Sequence, residues 1–74
     1  MMVNVGDVVR VAAGSLIHTP HPTRGPSYVS QRAQCVCVTR VVQDEVSWKG
    51  SAKYTSTTHK KNIAAIVKRK VVIL

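Results

Sequence analysis

The chain has no phenylalanine and only three aromatic residues, Tyr28, Trp48 and Tyr54. A core built without Phe needs one large side chain, and Trp48 is the largest on offer. Acids are nearly as scarce: Asp7, Asp44 and Glu45 stand against eleven Lys and Arg, for a formal net charge of +8. Asp44 and Glu45 are adjacent, so in extended chain they point apart and make a poor acid–base pair. Asp7 falls in a turn. The expectation is therefore a protein without catalysis of its own. Strong helix formers are few, which argues against a helical bundle. The longest apolar tail, "VVIL", is far short of a membrane span, and no basic segment leads into a long apolar one near the start. Cys35 and Cys37, the two cysteines, are separated by one residue. On a strand they share a face about 7 Å apart, too far to bridge each other. Unbridged thiols without a secretory signal imply a reducing, cytoplasmic setting with no membrane partner.

Valine is the commonest residue, and hydrophobic residues make up 45% of the chain. Valine is stiff at χ1 and fits the pleated, half-buried surface of a sheet. The 74 residues are read as one domain, 1–74, of all-β class. After a Gly6-Asp7 turn, Val9 and Val11 share one face of a first strand and Val8 and Arg10 the other. "LIHTPHPTRGPSY" then carries all three prolines, Pro20, Pro22 and Pro26. Proline fixes φ and removes a donor, so this segment reads as a long, semi-rigid loop and not as a central strand. "RAQCVCVTRVVQ" is the longest strand signal. Its alternation never leaves one face wholly apolar, which calls for a bulge near Thr39-Arg40. A turn at Asp44-Glu45 leads to "VSWKG", with Val46 and Trp48 on one face. "AKYTSTT" is a threonine-rich strand, Lys60 to Asn62 a single tight turn of 3-10 type, and "AAIVKRKVVIL" the last strand. Five short strands with one long first loop are the layout of a small SH3-like barrel, closed on itself.

His18-x-x-His21 with Cys35-x-Cys37 offers ligand types suited to Zn²⁺. The one-residue gap between the cysteines is tighter than zinc sites use, and the cysteines serve equally as small strand residues. No metal and no cofactor is expected. The basic residues carry more weight. Lys60, Lys61, Lys68, Arg69 and Lys70 gather toward the end of the sequence, Arg24 and Arg32 flank the proline loop, and Lys53 precedes Tyr54. If the last strand lies beside the first, Arg10 joins Lys68 or Lys70. Tyr28, Tyr54 and Trp48 offer stacking platforms for unpaired bases, although a core without Phe has first claim on Trp48.

Gly6, Asp7, Val9, Arg10 and Val11, followed by "HTPHPTRG" and a valine-rich strand, resemble the variable chain of ferredoxin–thioredoxin reductase. Tyr54 and His59 match that family's late aromatic and histidine, while "KKNI" replaces its acidic turn. Thr23, Arg24, Pro26 and Tyr28 stand at the spacing of a Thr-Arg-x-Pro-x-Tyr loop and are similar to the C-terminal domain of nitrile hydratase β subunits. The Val-Gln-Ile-Tyr signature of the small plasmid-borne dihydrofolate reductases, which are similar barrels, is absent. The resemblances imply an SH3-like accessory domain that docks or positions a partner carrying the chemistry. The expected function is thus a non-catalytic docking module whose basic face and proline-rich loop bind an acidic protein. A nucleic-acid-binding barrel is the alternative, and a phage or mobile-element protein that self-associates, as a homo-oligomer, is a third reading.

Overall fold

The computed structural model describes residues 2–21, 25–50 and 54–70, the side chains of residues 20, 21, 25 and 26 apart. Seven strands form within them: β1 Val8–Val11, β2 Leu16–His21, β3 Gly25–Val29, β4 Gln34–Val42, β5 Glu45–Lys49, β6 Thr55–His59 and β7 Ile63–Lys68. A 3-10 turn, Lys60–Asn62, joins the last two. All pairings are antiparallel, in one sheet of order β3-β2-β6-β5-β4-β1-β7. The fold is all-β. It differs from the expected five-strand closed barrel: among the described residues β3 and β7 are the two ends of the sheet, and the strands number seven.

The extra pair of strands comes from the proline segment. It forms a hairpin, β2 with β3, where a loop is expected, and Leu16, Ile17 and His18 face Val29, Tyr28 and Ser27. Prolines are tolerated here because the strands are poorly laddered around them. Beyond His18 the β2–β3 register shifts, and β2 meets β6 at the single pair His18↔Thr57. Pro26 lies on β3, the edge strand. Pro22, Thr23 and Arg24 lie outside the described residues.

β4 is the longest strand and serves both halves of the sheet. Its positions 34–37 pair with β1, and its positions 38–42 pair with β5. A register shift separates Val38 from Arg40, at the place where the alternation calls for a bulge. It lets Val38 pair with Trp48 on the inner face and Val41 with Val46, while Arg40 pairs with Ser47 on the outer face. The turn into β5 falls at Gln43-Asp44, one residue earlier than expected, and Gln43 takes φ 51°.

The core lies on the inner face. Val9, Val11, Ile17, Val38, Val46, Trp48 and Ile63 form one buried cluster, with Val3, Val36 and Ile66 packed against it. Burying each such side chain stabilises by about 1.5–3 kcal/mol. Two buried hydroxyl residues sit on the same face, opposite Trp48 and Val46. Ser56 Oγ bonds Thr19 Oγ1 at 2.7 Å. Thr58 Oγ1 donates to the Leu16 carbonyl at 2.9 Å and accepts from Asn62 Nδ2 at 2.8 Å. These bonds hold the β2/β3 hairpin over the sheet where strand pairing alone is thin. No helix among the described residues is long and apolar enough to cross a membrane.

Candidate functional site

A cleft of about 1100 Å³ opens between the β2/β3 hairpin and the junction of β4 with β5. Its hairpin wall runs through Tyr28, Val29 and Ser30 to Arg32; Trp48, Lys49 and Tyr54 line it from the β5 side, and Gln34 to Cys37 of β4 close it. Ser30 positions the hairpin wall. Its N–H donates to the Ser15 carbonyl at 2.9 Å, its carbonyl accepts from Gly14 N–H at 2.7 Å, and its hydroxyl donates to the Arg32 carbonyl at 2.6 Å. The chain is thus pinned at the foot of the hairpin and turned so that Arg32 stands exposed at the rim. On the other side Gly50 N–H donates to the Tyr54 carbonyl at 2.8 Å, tying the end of β5 to the start of β6 beside Lys49.

Three expected residues, Tyr28, Tyr54 and Arg32, therefore meet at one place. Tyr28 is about half exposed, at 48%. Trp48 also borders the cleft, but it is only 3% exposed and belongs to the core, so it can offer an edge and not a stacking face. Lys49 was not among the expected site residues. The only local signal for it is its place between Trp48 and Gly50, at the end of a strand.

The other cations are divided. Arg10 on β1 lies opposite Cys35 and Ala65, and Lys68 lies opposite Val8, so Arg10 and Lys68 share the outer face as expected of paired end strands. Lys60 bonds Asp44 at 3.2 Å beside the exposed Lys61. Arg69 and Lys70 lie at the far end of β7, roughly 20 Å from Lys60 by strand rise. The single basic face expected of the C-terminal cations is therefore split, because a six-residue strand separates its two halves. Arg24 and Lys53 lie outside the described residues.

Arg69 and Lys70 are engaged by Asp7. The Asp7 side chain is buried; it accepts from Asn4 N–H at 2.9 Å, Lys70 N–H at 3.2 Å and Arg69 Nη1 at 3.3 Å. The Asn4 N–H is the largest influence holding its carboxyl below the usual range; burial opposes it, and Lys70 N–H and the Arg69 charge add to it. Asp7 thus clamps the N-terminal turn to the end of β7.

The described zinc candidates, His18, Cys35 and Cys37, do not converge. His18 Nδ1 is bonded to Ser27 Oγ at 2.8 Å, and Cys35 and Cys37 are exposed on β4. The side chain of His21 lies outside the described ones, and among those described no three His, Cys, Asp or Glu residues are grouped to hold an ion. Comparison of the chain with protein families, curated proteins and solved structures finds no match.

Proposed function

We propose that the protein is a non-catalytic docking module that holds an acidic segment of a partner protein in the cleft between the β2/β3 hairpin and β4. One observation carries this reading. Among the described residues, the charged side chains that line the cleft are the cations Arg32 and Lys49, while all three acids of the chain lie elsewhere. Asp7 is buried in its clamp, Asp44 is paired with Lys60, and Glu45 starts β5 opposite His59. The apolar lining from Val29, Val36 and the Trp48 edge adds contact area for side chains that alternate with the acids.

The finer fold assignment belongs to the same proposal. We read the architecture as SH3-like, with the β2/β3 hairpin standing where the long first loop of such a domain runs and the 3-10 turn preceding its last strand. The resemblance of Gly6 to Val11 to accessory subunits of electron-transport enzymes supports a docking role in this framework.

A nucleic-acid reading is favoured by a different observation: Tyr28 and Tyr54 border the same cleft as Arg32 and Lys49. Bases stack on such rings while phosphates meet the cations. Fluorescence anisotropy separates the two. Labelled oligoglutamate is expected to bind, to lose affinity about tenfold in Arg32→Glu/Lys49→Glu, and oligothymidylate to bind weakly. Tight oligothymidylate binding with a log–log salt slope near −1.4, as about two phosphate contacts on a single strand would give, supports the second reading and refutes the first.

A further inference from the structure

The cleft is lined by consecutive residues, Gln34 to Cys37 on β4 and Tyr28 to Arg32 on the hairpin. A strand that presents a face contributes alternate residues, because successive side chains point to opposite sides. A run of consecutive residues means that the cleft looks onto a strand edge. The main-chain bonds agree. Val38 N–H donates to the Asp7 carbonyl and the Val38 carbonyl accepts from Gly6 N–H, so the polar groups of Val38 point toward β1. Along a strand this direction alternates, which turns the N–H and C=O of Cys35 and Cys37 the other way, toward the cleft. On that side the register with β5 ends at Val38↔Trp48, a pair whose flanking bond joins Lys49 N–H to the Cys37 carbonyl, so the edge opens at Cys35. Among the described residues, positions 34–36 are paired with β1 alone.

Resting on the docking reading above, we infer that the acidic segment binds by strand addition, as an extended peptide laid along the edge of β4 at Cys35, just beyond the last pair with β5. Main-chain bonds to Cys35 supply the register, and the alternation of the peptide supplies the choice of sequence. Side chains of one parity meet Val29, Val36 and the edge of Trp48. Those of the other parity reach Arg32 and Lys49 at the rim. The chemistry recognised is therefore an alternating acidic and apolar stretch of about four to six residues, roughly 13–20 Å long at strand rise. A cleft of about 1100 Å³ is larger than a small metabolite fills, and it suits a segment of that length.

The test uses the full chain and an array of hexapeptides with Glu or Asp at one parity and Val, Ile, Leu or Tyr at the other. The best binder is remade with N-methyl groups on alternate residues, in both parities. Hydrogen exchange and amide chemical shifts of the protein are read with each. The expected result is slowed exchange at the Cys35 amide, and a loss of about tenfold or more on methylation of one parity and little on the other. Peptide binding that is weakened by Arg32→Glu, yet leaves Cys35 exchange unchanged and tolerates both methylated forms, overturns strand addition and leaves the docking reading standing. Absence of binding across the array, or displacement of every peptide by oligothymidylate that binds more tightly, overturns both.

Discussion

Gly6 and Asp7 stand next to each other and do unlike work at the start of the fold. Gly6 takes φ +94°, and a Cβ added there would meet Lys70 Cδ at 2.6 Å. Gly14 takes φ +82° with nothing within 4 Å of that position. Alanine at either site pays the left-handed backbone cost of roughly 1–2 kcal/mol. Gly6→Ala is expected to lose more than Gly14→Ala, because Lys70 must also give way, and urea midpoints at unchanged m-value measure both. Asp7 predicts a pH dependence. Its carboxyl titrates below the ordinary 3.8 in the folded chain. The unfolded chain therefore takes up the proton first, and the stability due to Asp7 is full above that ordinary value and is lost as pH falls through the folded one. Melting temperature followed from neutral to strongly acid pH should fall in that window for the wild type. In Asp7→Asn the profile there should be flatter and the melting temperature at neutral pH already lower. The turn at Gly6-Asp7 was legible in the sequence. The clamp to Arg69 was not, since it joins residues 62 positions apart that no local pattern relates.

At the scale of elements, the β2/β3 hairpin is the part that sequence reading mistook. Three prolines argue locally for a loop, and the argument is sound for a laddered strand. It fails here because the hairpin sits at the sheet's end and is held by side chains as much as by backbone. Thr58 is the main tie, bonding Leu16 and Asn62 from a fully buried position. Thr58→Val keeps the shape and leaves the Leu16 carbonyl and Asn62 Nδ2 without this partner, at a cost of about 1–3 kcal/mol. Hydrogen exchange in Leu16–His18 should quicken more than in β4 and β5; a uniform change across the sheet would show that Thr58 does not tie the hairpin. The bulge in β4 was the reverse case. Cys35, Cys37, Thr39 and Val41 on one face and Gln34, Val36, Val38, Arg40 and Val42 on the other cannot both be satisfied by a straight strand, and the register shift between Val38 and Arg40 resolves the conflict. The tight turn at Lys60–Asn62 was equally visible, and His59 caps it by accepting Lys61 N–H at 3.0 Å.

For the molecule as a whole, the question is which of the many cations do the binding. With a net charge of +8, any polyanion is attracted from a distance, and such attraction fades with salt. The cleft hypothesis demands more. Lys60→Glu/Lys61→Glu and Arg32→Glu/Lys49→Glu change the net charge equally, yet only the second pair is expected to lower the affinity for an acidic peptide about tenfold at physiological salt. Equal losses from both pairs would mean that binding follows the overall field and uses no particular site. Titration of each variant with the same labelled peptide at two salt concentrations decides it.

The sequence alone determined that the chain is all-β, where most strands run, which residues share a face in β1 and β5, and that Trp48 has a claim on the core. Those properties follow from alternation with period two and from the conformational limits of single residues, both of which are local. Tertiary structure decided which strands are neighbours, which edge stays open, and that Tyr28, Arg32, Lys49 and Tyr54 meet while Lys60 and Arg69 part. Pairing brings together residues far apart in the chain, and its outcome depends on how the whole sheet bends over one core, which no short window of sequence contains.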